Sequence, residues 1–188
     1  MMGARVSFFV TMTLTLLLGL KVSAKENNGS PIYTRYVAEV TSAFAKEMHE
    51  KYGLECGRSG GSMPYDVEKI SVSLVASGGA TIEQARELEV KATERFAQII
   101  NAHEKLRPFL REYPFPAARA DVSISFRNSK NSRSLSRKNE VKYVLHAKNR
   151  IYYQAENPEN PYVYKDIKDE PYEEALKIVQ NNAPKNGL

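Results

Sequence analysis

Tryptophan is absent from these 188 residues, cysteine occurs once and histidine three times. Each scarcity removes a class of chemistry. A single cysteine, Cys56, closes no internal disulfide, so the fold must rest on its apolar core. Pairing with another chain stays open for Cys56, but a small buried thiol is the commoner state and is the expectation. His49, His103 and His146 fall on two predicted helices and a strand. None has a Cys, Asp or Glu at ligand spacing within a motif, so a zinc or iron site is not expected, and no cofactor is expected. No Gly-x-Ser-x-Gly elbow marks a hydrolase nucleophile. The glycine-rich stretch Gly57 to Ser62 lacks the Gly-Lys-Ser/Thr ending of a P-loop and does not run into a helix.

Long apolar runs are missing too, except at the start. Val6 to Leu20 is apolar apart from small Ser and Thr residues and one Gly. That is about 15 residues, where a membrane-spanning helix needs about 20. Arg5 precedes the run. Val22-Ser23-Ala24 puts small side chains behind it, and Lys25-Glu26-Asn27-Asn28 turns polar. This is the pattern of a secretory signal peptide over residues 1–24, with the cut expected after Ala24. The mature chain is then periplasmic or secreted, with no transmembrane segment. About 164 residues remain, enough for one domain with its own core. The signal carries two of the 27 basic residues and none of the 22 acidic ones, which leaves a net charge of +3. That is too mild to argue for nucleic acid as a partner.

What is present reads as alternating helices and strands. Residues 25–30 and 181–188 are expected to be flexible. Ser30 and Pro31 suit the start of a helix, as N-cap and first-turn residue. Ile32, Tyr36, Val37, Val40, Phe44 and Met48 give it one apolar face, and Gly53 suits its end. Gly57 to Pro64 reads as a glycine-rich loop, with a short strand at Leu54 to Cys56 before it. Ile70, Val72 and Leu74 alternate with serines in a half-buried strand. Thr81-Ile82-Glu83-Gln84 has the form of a capping box. The helix it opens carries Ile82, Ala85, Leu88, Ala92, Phe96 and Ile99 on one stripe and ends near Ala102.

A short helical turn is expected near Pro108. Val122, Ile124 and Phe126 form a second half-buried strand. Val141 to Leu145 and Ile151 to Tyr153 form a hairpin around Lys148-Asn149. Tyr162 to Ile167 suits an edge strand, and Asp169-Glu170-Pro171 the opening of a last helix. The expectation is a single α+β domain over residues 25–188. Its antiparallel sheet has about four to five strands with helices packed on one face, in the order α-β-β-α-β-β-β-α.

Five stretches together carry a resemblance. They are Gly60-Gly61-Ser62-Met63-Pro64, Glu83-Gln84-Ala85-Arg86, Glu104-Lys105-Leu106-Arg107-Pro108-Phe109-Leu110, Tyr113-Pro114-Phe115 and Tyr172-Glu173-Glu174-Ala175-Leu176. In this succession the chain resembles an uncharacterised family of small exported proteins from chlamydia-like and other host-associated bacteria. The resemblance implies a bacterial, exported setting. It brings no activity, cofactor or catalytic residue.

Two features suit binding. Arg127, Lys130, Arg133, Arg137 and Lys138 place five positive charges in a run with no acid until Glu140. Such a loop suits anionic lipid head groups, envelope polymers or an acidic partner. Tyr143, Tyr152, Tyr153, Tyr162 and Tyr164 crowd the C-terminal strands, and Tyr152 points opposite to Ile151 and Tyr153. A wet sheet face bearing tyrosines can stack on peptides or sugars. The candidate contact residues are therefore Arg127, Lys130, Arg133, Arg137, Lys138 and Tyr152. The leading expectation is a non-enzymatic binding module for an envelope or host protein, an envelope polymer or an anionic surface. The alternatives are a small cysteine- or serine-dependent hydrolase, and a periplasmic assembly or inhibitor protein that uses a sheet edge. A hydrolase requires an exposed Cys56 with a His and a carboxylate or carboxamide in reach. An edge binder requires an unpaired strand.

Overall fold

The structure, a computed structural model, describes residues 30–127, 140–160 and 162–182. The expected signal segment, the leader up to Asn28 and Gly29, most of the basic run and the final residues 183–188 lie outside the described residues. Helix α1 spans Ile32–Tyr52, and Tyr33, Val37, Val40, Phe44 and Met48 are its buried face. Ser30 does not cap it. Pro31 stands at the cap position in an extended conformation, and its carbonyl accepts from the Thr34 N–H and hydroxyl. Gly53 ends the helix at φ 64°, a left-handed conformation that costs glycine little, and its N–H donates to the His49 carbonyl.

The glycine-rich stretch is not a loop. It forms strand β1 (Glu55–Ser62), which pairs antiparallel with β2 (Lys69–Ser77). Glycine is required here by close approach, since a Cβ on Gly61 would sit 2.3 Å from the Lys69 carbonyl oxygen. A bulge between Cys56 and Arg58 shifts the register of the pair. Cys56 is exposed on this strand and not buried as expected, because among the described residues no strand pairs with the outer side of β1.

Helix α2 (Ile82–Ala102) opens on the expected capping box. The Gln84 N–H donates to the Thr81 hydroxyl, and the Thr81 N–H to the Gln84 side chain. Its buried residues include Ala85, Val90, Ala92, Phe96 and Ile100, while Ile99 is only partly covered. The stripe is thus turned slightly toward the Val90 and Ile100 side. Phe96 stacks on Phe44 with ring centroids 4.5 Å apart, joining the two helices. After α2 come short turns at Arg107–Phe109, as expected near Pro108, and Ala117–Arg119.

Strand β3 (Ala120–Arg127) then lies parallel to β2, from Ile70 opposite Ala120 to Ser77 opposite Arg127. This overturns the expected all-antiparallel sheet. The α2 segment is a crossover, and a helical crossover returns the chain in the same direction. β4 (Tyr143–Ala147) and β5 (Arg150–Glu156) form the expected hairpin. Lys148 and Asn149 both have positive φ, 52° and 60°, which matches the twist of a two-residue hairpin turn. β6 (Tyr164–Pro171) pairs with β5 and runs through the residues expected to open the last helix; α3 begins at Tyr172 and reaches Asn182. Among the described residues the sheet has six strands in chain order, four of them after α2 rather than three.

Even-numbered residues of β2 and β3 face the helices and are buried: Ile70, Val72, Leu74, Val122, Ile124 and Phe126. Their odd-numbered neighbours form a second, open face. Among the described residues no helix is long and apolar enough to cross a membrane.

Candidate functional site: the aromatic end of the open sheet face

Register decides which side chains meet on the open face. Ser123 pairs with Leu145, which pairs with Tyr152, so all three point to that side. Ser125 pairs with Tyr143, which pairs with Gln154, which pairs with Asp166. The middle of the face is polar and already matched. The Ser123 hydroxyl bonds that of Ser73 at 3.0 Å, Lys69 meets Asp121 at 2.9 Å, and the Gln154 amide donates to Asp166 at 2.7 Å.

One end differs. Tyr143 on β4 and Tyr164 on β6 reach over β5 and stack, with centroids 5.7 Å apart and planes 6° from parallel. Tyr164 is half exposed, Val163 likewise, and Tyr162 beside them is 95% exposed. Arg127 lies two residues beyond Ser125, the partner of Tyr143, or about 7 Å along the strand. It is exposed at the same end of the sheet. Residues 128–139 join Arg127 to Glu140, so both roots of the basic segment belong to this end.

The structure brings the expected contact residues together only in part. Arg127 and Tyr152 share the open face, but Tyr152 lies two residues from Gln154 in the opposite direction, in register with Asp169. Lys130, Arg133, Arg137 and Lys138 lie outside the described residues. Tyr143 and Tyr164, absent from the expected set as a pair, form the aromatic centre. The apolar spacing of Val141, Tyr143 and Leu145 suggests that these share the buried face, but in β4 Val144 and His146 are buried and Tyr143 lies on the open side. The position of Tyr164 depends on a bulge between Tyr153 and Gln154 that no local pattern announces.

Nothing among the described residues converges on the thiol. Glu55, next to Cys56, takes His49, with Nδ1 to Oε1 at 3.2 Å. Partial cover pushes the Cys56 thiol above its ordinary value, and no neighbouring cation opposes that.

Two polar clusters lie on the helix face. Arg86 on α2 donates to both oxygens of Glu170, at 2.6 and 3.0 Å, and Tyr153 and Lys168 bond the same carboxylate. Burial works against the charged form of Glu170. The hydrogen bonds from Arg86, Tyr153 and Lys168 outweigh it and hold the carboxyl below its ordinary value. Beside it, Glu89 and His146 are buried with no side-chain hydrogen bond among the described residues, as is the Thr93 hydroxyl. The His146 ring packs on Tyr172 at 4.4 Å, and Tyr172 donates to Glu94. These clusters tie α2 to β4, β5, β6 and α3, and they face no cleft on the open side.

A groove of about 540 Å³ runs between α1, α2 and α3 over Met48, Val90, Leu176 and Val179. Its charged rim is matched internally. Glu47 accepts from Lys51 at 2.6 Å and Arg95 at 2.8 Å, and Arg95 followed by Lys51 holds its carboxyl down to about 2. No group of three or more His, Cys, Asp or Glu side chains among the described residues is placed to hold a metal ion.

No family model matches the chain, and neither a curated protein nor a solved structure is significantly similar to it.

Proposed function

We propose that this protein is a non-enzymatic binding module that works outside the cytoplasm and engages a protein or envelope polymer. Contact is made at the aromatic end of the open face, where Arg127 and Glu140 flank the basic run in the sequence. The observation that carries this reading is a coincidence of position. The stacked Tyr143–Tyr164 pair, exposed Tyr162 and exposed Arg127 share one end of the sheet, where the basic segment is rooted. Stacked tyrosines present apolar area with polar tips, which suits a sugar or peptide surface. Positive charges gather an anionic polymer and steer its approach. Export rests on the signal pattern of residues 1–24 and on the family resemblance.

Retention on purified cell-wall sacculi and on anionic phospholipid vesicles tests the charge contribution. Retention should fall steeply as salt rises, since exposed charges are screened over about 10 Å at 0.1 M ionic strength. Changing Arg133, Arg137 and Lys138 to Ser should reduce retention at low salt and leave the unfolding midpoint almost unmoved. Retention that ignores both salt and the triple change contradicts the role of the basic segment.

A further inference from the structure

The two edges of the sheet are built differently. β6 carries Lys165, Asp166, Lys168, Asp169 and Glu170, bulges at Ile167 and ends in Pro171. Charge, bulge and proline are the devices that stop a strand edge from pairing further. β1 has few of them. Its sequence is Glu-Cys-Gly-Arg-Ser-Gly-Gly-Ser, with one acid, one base and no proline. Seven of its eight residues are exposed. Among the described residues its main chain bonds only to β2 and the turn between them. Past the bulge, its outer N–H and C=O groups form an open row.

We propose that β1 pairs antiparallel with β1 of a second copy, joining the two six-stranded sheets across a twofold axis. Three observations select this partner. The first is closure. A β1–β1 contact uses both open edges and leaves only the two guarded β6 edges, so assembly stops at a dimer and does not run on into a fibre. The second is charge. Glu55 and Arg58 cancel within each strand, so two copies meet without net repulsion. The third is room. By helical spacing, the flank of α1 opposite its Glu47–Arg95 and Glu39–His103 contacts carries the small residues Thr34, Ala38 and Ala45, while Thr41 on the same side is already buried. A twofold axis normal to the sheet sets the two α1 helices side by side on one face, and small residues let them approach.

An unrelated extended peptide fits less well. Edges that select peptides offer pockets for alternate side chains. Two clefts, one around α2 and one behind Leu54, include no residue of β1.

Sedimentation of the purified protein from about 1 to 200 µM tests the proposal, because the dimer is governed by mass action. Dimer should dominate at the upper end, and the amides of β1 should exchange more slowly as concentration rises. Gly60→Lys is the informative variant. A Cβ at Gly60 meets nothing within 4 Å, so the single copy should keep its melting temperature. The added charge should weaken the dimer at least about tenfold, as edge lysines do. The contact lies across the sheet from the aromatic end, so Tyr143→Ala with Tyr164→Ala should dimerise like the unchanged protein. A chain that stays monomeric at the highest concentration overturns the proposal, even if its edge captures a strand of some other protein. A dimer that Gly60→Lys leaves intact overturns it as well.

Discussion

Glu89 sits on the buried side of α2, and no side chain among the described residues donates to either of its carboxylate oxygens. Burial pushes its carboxyl well above the ordinary value. The His146 main-chain N–H opposes the rise, and the charge of Asp121 adds to it. The folded protein therefore holds a proton that the unfolded chain releases near the usual carboxylate value of about 4.3. Stability from this site falls as pH climbs from that value toward the raised folded one. Glu89→Gln should thus raise the denaturant midpoint at neutral pH, with the gain vanishing near pH 4; an equal gain at both pH values would contradict the assignment. Glu170 behaves in the opposite sense. Its folded value is lowered, so its contribution is present above the unfolded carboxylate value and is lost as pH falls through the folded one. Glu170→Gln leaves the Arg86 guanidinium buried without its charge partner and should cost about 3–5 kcal/mol, read from denaturant unfolding at neutral pH.

At the scale of elements, legibility followed the range of the signal. The capping box of α2, the left-handed Gly53 and the Lys148-Asn149 turn are each set by neighbours in sequence, and all were readable. The β2 and β3 strands were readable from strict alternation. The glycine-rich β1 was not, because glycines extend only when a partner strand comes close enough to exclude a Cβ, and Lys69 lies eight positions from Gly61 in the chain. The parallel pairing of β2 and β3 depends on how a crossover packs, not on local pattern. At the other end, acids before a proline imitate a helix start, yet Glu170 is held in β6 by Arg86, 84 residues away. The buried face of α2 can be checked directly. Phe96→Ala removes a fully buried ring stacked on Phe44 and should cost about 3–5 kcal/mol. Glu87→Ala, exposed and paired only with Lys91, should cost no more than about 0.5 kcal/mol. Equal midpoints for the two variants would misplace that face.

At the scale of the whole molecule, three helices among the described residues cover one side of the sheet and leave the other open. Of the proposed site, charge count picks out the basic run in the sequence, of which only Arg127 is among the described residues, and the crowding of tyrosines picks out the C-terminal strands. Which tyrosines meet was hidden, since Tyr143 and Tyr164 come together only through two strand registers and a bulge. The central claim, that this end is the binding surface, is tested most directly by comparing two aromatic losses for retention on purified sacculi. Tyr143→Ala with Tyr164→Ala removes the stacked pair. Tyr65→Ala removes a tyrosine that is 90% exposed in the turn after β1, on the other side of the sheet. The account predicts that the paired change lowers retention at least about tenfold, in keeping with the loss of more than one stacking contact. Tyr65→Ala should bind as the unchanged protein does. Equal losses, or no loss in the paired variant, would contradict the account.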